Sequence, residues 1–183
     1  MFRFEMTISY DDAHQIFIAE KRLLKPRTWS TVPKGNSNAE MVQKFESRVL
    51  IDTAVPRGVF FRILIHPASL TNVVFMLDCD SPSGRTNVAL YRFELEPIRP
   101  HINKLWGPED INGLRIAAGV THEHLFYDCV TQDGKLRTRT DLQARIVEEP
   151  PEDFSTALDY VCRRTNIING GDVPTPRAQG QLL

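Results

Sequence analysis

Four strand-forming runs at nearly regular spacing constrain this fold more than anything else in the chain: Phe45 to Ile51, Val59 to Ile65, Val73 to Leu77 and Val88 to Leu95. Turn chemistry separates them, with Pro56-Arg57-Gly58, Pro67-Ala68-Ser69 and Ser81-Pro82-Ser83-Gly84 between successive runs. Connections this short favour antiparallel pairing, so the runs predict a meander. In Tyr91-Arg92-Phe93-Glu94-Leu95 apolar and charged residues alternate, which sets one face on a core and leaves the other polar. The chain has 183 residues, 42% of them hydrophobic, enough for one ordinary core. The expectation is a single α+β domain over residues 1–170, with an antiparallel sheet and two principal helices, followed by a C-terminal tail over 171–183.

The first helix is expected through Ala13, Ile16, Ala19, Leu23 and Leu24, capped by Asp11 or Asp12 and ended by Pro26. The second follows Pro150-Pro151. Phe154, Leu158 and Val161 recur at helical spacing, acidic Glu152 and Asp153 stand at its start, and Arg163 and Arg164 lie near its end, before Gly170-Gly171. Residues 26–40 carry Pro, Ser, Asn and Gly without periodicity and read as a long connection. Residues 97–120, broken by prolines and glycines, read as a crossover loop that holds a short strand and carries His101-Ile102-Asn103. In the tail, Leu182-Leu183 is the expected anchor onto the body.

Several function classes lose support at this level. A formal net charge of −1 draws the chain to neither nucleic acid nor membrane as a whole, so a nucleic-acid or protein partner would have to be met by a local patch. No run of ~18 apolar residues offers a membrane span, and the chain is expected in the cytoplasm. Cys79, Cys129 and Cys162 are odd in number and widely spaced, which suits buried thiols and not a disulfide framework. Gly84 and Gly107 form no phosphate-binding loop, and no nucleophile elbow is present.

The chemistry concentrates in Thr121-His122-Glu123-His124-Leu125-Phe126-Tyr127-Asp128. On a strand, His122, His124 and Asp128 share one face. Asp133-Gly134 predicts a two-residue hairpin turn. That turn would set Val130 opposite Arg137, Asp128 opposite Arg139, Phe126 opposite Asp141, His124 opposite Gln143 and His122 opposite Arg145, with these side chains facing solvent. Leu125, Tyr127, Cys129, Leu136, Leu142, Ala144 and Ile146 would face the core.

Two chemistries fit such a face. His-x-His offers two converging ligands to a divalent metal, and His101 or Asp128 would complete a three-ligand set. Without a metal, the same imidazoles serve as acid and base in phosphodiester cleavage. Arg137 and Arg139, beside Lys135, would then stabilise the phosphorane, with Arg92, Arg99 or Arg145 as further cations. Set against both is a plain alternative, in which Asp128 and Arg139 form an exposed ion pair worth under ~1 kcal/mol and the charges only keep the sheet soluble.

The ordered set Arg92-Phe93-Glu94, Pro100-His101-Ile102-Asn103 and Thr121-His122-Glu123-His124-Leu125-Phe126, then the helix around Phe154 to Asn166, resembles a family of small uncharacterised prokaryotic proteins with His-x-Asn and His-x-His-x-aromatic motifs. The resemblance covers residues 90–168. Where the family has Tyr after the second His, this chain has Phe126 followed by Tyr127. It implies that His101, Asn103, His122 and His124 act together, and it carries no assigned activity.

Two functional readings result. One is a small phosphodiester hydrolase, nuclease-like, of a toxin or defence system, using His101, His122, His124, Arg137 and Arg139. The other is a non-catalytic partner-binding protein of phage or mobile-element origin. The first requires His101 to come within reach of His122 and His124.

Overall fold

Short connections dictate that the strand runs pair in chain order, and they do. The computed structural model describes residues 8–24, 28–33, 41–66, 72–80, 87–131, 134–137 and 142–176. The elements are α1 (Tyr10–Ile18), β1 (Lys21–Leu23), β2 (Ser30–Pro33), β3 (Met41–Ile51), β4 (Val59–Ile65), β5 (Val73–Asp80), β6 (Asn87–Leu95), β7 (His101–Ile102), β8 (Arg115–Ile116), β9 (His122–Leu125), β10 (Arg145–Ile146) and α2 (Phe154–Arg164). The main sheet runs β1-β3-β4-β5-β6-β9-β10, with β2 also on β3, and every pairing is antiparallel. β7 and β8 form a separate two-stranded pair. The fold is α+β, as the meander predicted.

Strand alternation gives this sheet two unlike faces. Phe45, Phe61, Ile63, Phe75, Phe93 and Leu125 are fully or almost fully buried on the face that receives the helices. There Phe154 of α2 stacks on Phe75 at 5.7 Å and Tyr160 meets Phe93 at 5.2 Å. On the opposite face, cross-strand neighbours form two rows. Glu46, Arg62, Met76, Arg92 and His124 follow one another from β3 to β9, and Lys44, Leu64, Val74, Glu94 and His122 make the row beside them. Arg62 anchors the first row, bonding Glu46 at 2.6 Å and Asp78 and Asp80 at 3.0 Å.

Both helices depart from their expected bounds. Ser9, not Asp11 or Asp12, caps α1 by accepting from the Asp12 amide. The helix stops at Ile18, before Pro26, because Lys21 to Leu23 join the edge of β3. The buried Lys21 ammonium then donates to Phe17 O, Ala19 O and Thr165 O at 2.6–2.8 Å, which satisfies carbonyls at the ends of both helices. α2 begins on a capping box between Asp153 and Thr156 and ends at Thr165, where Asn166 turns left-handed (φ 54°), ahead of Gly170-Gly171. The 26–40 connection contains the edge strand β2. The crossover contains the β7–β8 pair.

The predicted hairpin changes most. Residues 126–129 wind into a 3-10 turn instead of continuing the strand. Phe126 therefore leaves the polar face and packs on Tyr10 and Phe17 at 5.5 Å, while Tyr127 becomes 43% exposed instead of core. Val130 bridges Leu136, not Arg137, and Arg145 pairs with Glu123, not His122, so Ile146 stands opposite His122 and is 46% exposed. Asp133, Arg139, Asp141 and Leu182-Leu183 lie outside the described residues. The three cysteines are free, as expected, and burial pushes the Cys129 thiol up to about 11 and Cys162 up to about 12. No helix among the described residues is long and apolar enough to cross a membrane.

Candidate metal centre

β9 adds to the open edge of β6, and this pairing builds the site. Its register places His124 opposite Arg92 and His122 opposite Glu94, so four polar side chains share one face of two strands. Glu123, between the histidines, points the other way. Its carboxylate accepts from Tyr91 Oη at 2.7 Å and pairs with Arg164 at 2.5 Å, tying α2 to β9.

The expectation of solvent-facing rings fails, since His122 is 1% and His124 3% exposed. The crossover covers them. β7 brings His101 over the pair, with ring centroids 5.4 Å from His122 and 5.0 Å from His124, while His122 and His124 stand 5.1 Å apart. The rings are thus buried against one another and a carboxylate, and one ring nitrogen from each lies within 4.8 Å of the others.

Hydrogen bonds fix which nitrogens are free. Nδ1 of His122 meets Val120 O at 2.9 Å and Nδ1 of His124 meets Gln143 O at 3.0 Å. A carbonyl only accepts, so both Nδ1 atoms carry a proton, which leaves Nε2 as the nitrogen able to offer a lone pair. Both Nε2 atoms are buried without a hydrogen-bond partner. For His101 the logic runs through Asn103, whose Nδ2 donates to Ile111 O and Ala144 O and whose Oδ1 accepts from the Ala144 amide. That oxygen also lies 3.0 Å from His101 Nε2, which is therefore the donor, and Nδ1 carries the free lone pair.

A carboxylate lies beside two of the three rings. Glu94 Oε1 sits 3.4 Å from His124 Nε2 and 3.8 Å from His122 Nε2, and accepts from Arg92 Nε at 2.8 Å. Burial works to raise the Glu94 pKa, but His124, the Arg92 guanidinium and His122 hold it well below the usual carboxylate range. Burial pulls His124 down to about 4, with Glu94 acting upward and Arg92 downward. His101 is also lowered, by burial and then by His122. Three imidazoles and a carboxylate are the kinds of group that bind a transition metal.

Asp128 and Arg137 have partners outside this set. Asp128 is engaged by Arg145, whose Nε and Nη2 bond its two oxygens at 2.7 and 2.9 Å. Arg137 stacks on the Trp106 ring at 4.1 Å. Arg139 is outside the described residues. Glu94 is the site residue that sequence reasoning did not include, although alternation along Tyr91 to Leu95 already placed it on the polar face of β6. Knowing that β9 pairs with β6 was the missing step.

No family model matches the chain, and no curated protein or solved structure matches it.

Proposed function

We propose that this chain is a small hydrolase of phosphodiester bonds, nuclease-like, whose reacting centre is the cluster of His101, His122 and His124. The observation that carries the reading is the convergence of three imidazoles from β7 and β9, with one nitrogen of each within 4.8 Å of the others. Attack on phosphorus needs a deprotonated water, and this cluster of basic nitrogens is where it is generated. The charge that builds on the phosphoryl oxygens needs a cation. Arg92 takes the role first given to Arg137 and Arg139. Its side chain is 25% exposed, its Nε is held by Glu94, and its terminal nitrogens have no hydrogen-bond partner among the described residues.

The test is cleavage of RNA, DNA and a chromogenic phosphodiester by the wild type and by His122→Ala, His124→Ala and Arg92→Met. Each variant is expected to lose about a hundredfold or more in rate. Cleavage at the wild-type rate in both histidine variants removes the cluster from the chemistry. A wild type that cleaves none of the three substrates overturns the reading in favour of a partner-binding protein. One observation favours that second reading: Ile98, Ile102 and Leu105 of the crossover are exposed apolar side chains.

A further inference from the structure

We propose that His101, His122, His124 and Glu94 are the ligands of a single divalent transition-metal ion. The assignment uses the same cluster as the hydrolase reading, and the experiment below separates the two.

The argument starts from an electrostatic conflict. Because backbone carbonyls hold the Nδ1 protons of His122 and His124, each Nε2 presents a lone pair, and each faces the acceptor-only oxygen of Glu94. Acceptor facing acceptor is repulsive inside a buried site unless a positive centre lies between them. Two nearly fully buried nitrogens without partners mark where that centre belongs. The spacing fits as well. Ligands about 2.0–2.1 Å from one ion in tetrahedral geometry stand about 3.4 Å apart, and the observed 3.4 and 3.8 Å from Glu94 Oε1 to the two rings are of that size. His101, half-buried on a two-residue strand, is the ligand with room to close the remaining gap.

The surroundings are those of a ligand shell. Metal-bound imidazoles donate their other ring nitrogen to a carbonyl or carboxylate, which fixes ring and tautomer. Val120 O, Gln143 O and Asn103 Oδ1 each hold one ring in this way, and Arg92 orients the carboxylate. Three imidazoles and one carboxylate favour a borderline ion such as Zn2+ or Co2+ over Mg2+ or Ca2+, which prefer oxygen donors throughout.

The test uses the full chain, stripped with a chelator and titrated calorimetrically with Zn2+ and then Co2+. Binding of one ion per chain is expected, with a visible Co2+ absorption band. Glu94→Gln should weaken binding at least about tenfold, and His124→Gln should abolish it, while exposed His14→Ala binds as the wild type does. Should His124→Gln fail to fold, histidine 15N spectra of the wild type decide, since the free nitrogens of His101, His122 and His124 must shift on adding Zn2+. No uptake of either ion, uptake unaffected by Glu94→Gln, or histidine signals that answer only to pH would each overturn the assignment. Metal binding without phosphodiester cleavage would leave the site standing and remove the hydrolase. Cleavage that survives stripping in a chain that takes up neither ion would do the reverse.

Discussion

Asn103 shows how one buried amide can hold a site together. It is 2% exposed and uses its whole hydrogen-bonding capacity, joining His101 on β7 to Ile111 on the crossover and to both backbone groups of Ala144. Asn103→Ala would remove the bonds made to the Ala144 amide and to the Ala144 carbonyl, while Ile111 O keeps the Leu114 amide at 3.2 Å; a buried group left unpaired costs about 1–3 kcal/mol in the general case. Urea unfolding of Asn103→Ala should show a loss of roughly 3 kcal/mol. An unchanged midpoint would mean that water replaces the amide and that Asn103 does not position His101. Much at this scale was legible. His122 and His124 had to share a face on any strand, whereas His101 was visible only as a third imidazole offered by a loop and Asn103 only through the resemblance of its His-x-Asn motif. Glu94 was visible only as a polar-face residue, because no local pattern states which strand lies beside β6.

Among the elements, the crossover and the segment after β9 decide whether the histidines meet. Gln143 carries the carbonyl that orients His124, and its side chain is clamped to the crossover by bonds between its amide and both backbone groups of Lys104. Gly107 lies against that clamp: a Cβ there would fall 2.5 Å from Gln143 Nε2 and 2.8 Å from Cδ and Cγ. Since Gln143 is wholly buried, it has no free space to yield. Gly107→Ala should therefore destabilise the chain by about 1–3 kcal/mol, the usual cost of overpacking, and should shift the His124 ring resonances more than those of exposed His14. Stability and spectrum like those of the wild type would show that the clamp is loose. Elements were less legible than residues wherever tertiary contacts overrode a local signal. Helical periodicity ran on through Leu23, yet Lys21 to Leu23 bury better as an edge strand. Asp133-Gly134 promised a long hairpin, but the 3-10 turn at 126–129 places Phe126 in the core, and the described pairings at Val130 and Arg145 are shifted.

At the scale of the whole molecule, the meander was legible because alternation and turn chemistry agree along β3 to β6, whereas the covering of its polar face rests on contacts between residues distant in sequence. The two parts differ in how they are held. β4 and β5 each have ladders on both edges and bury Phe61, Ile63 and Phe75 completely. The crossover's backbone bonds are local: the β7–β8 pair, the Asn103 amide to Leu114 O at 2.9 Å, Gly119 to Pro97 O at 2.7 Å, Ile111 to Pro108 O, Leu114 to Ile111 O and Val120 to Ala117 O; side-chain ties through Asn103, Gln143 and the Arg145–Asp110 pair join it to the rest. Local backbone bonds and exposed Ile98, Ile102 and Leu105 are the marks of a segment that opens before the rest. Opening it would uncover His101 and the free nitrogens of His122 and His124 while the sheet stays folded, giving a substrate or ion a route to a site that is otherwise nearly closed. Native-state hydrogen exchange across a denaturant series should therefore show the Asn103 and Gly119 amides exchanging by a lower-energy, weakly denaturant-dependent opening, while Phe61, Phe75 and Phe93 exchange only with global unfolding. If the Asn103 amide instead shares the free energy and denaturant slope of Phe75, the crossover opens only when the whole molecule does, and access to the histidines must be sought through side-chain motion of His101 alone.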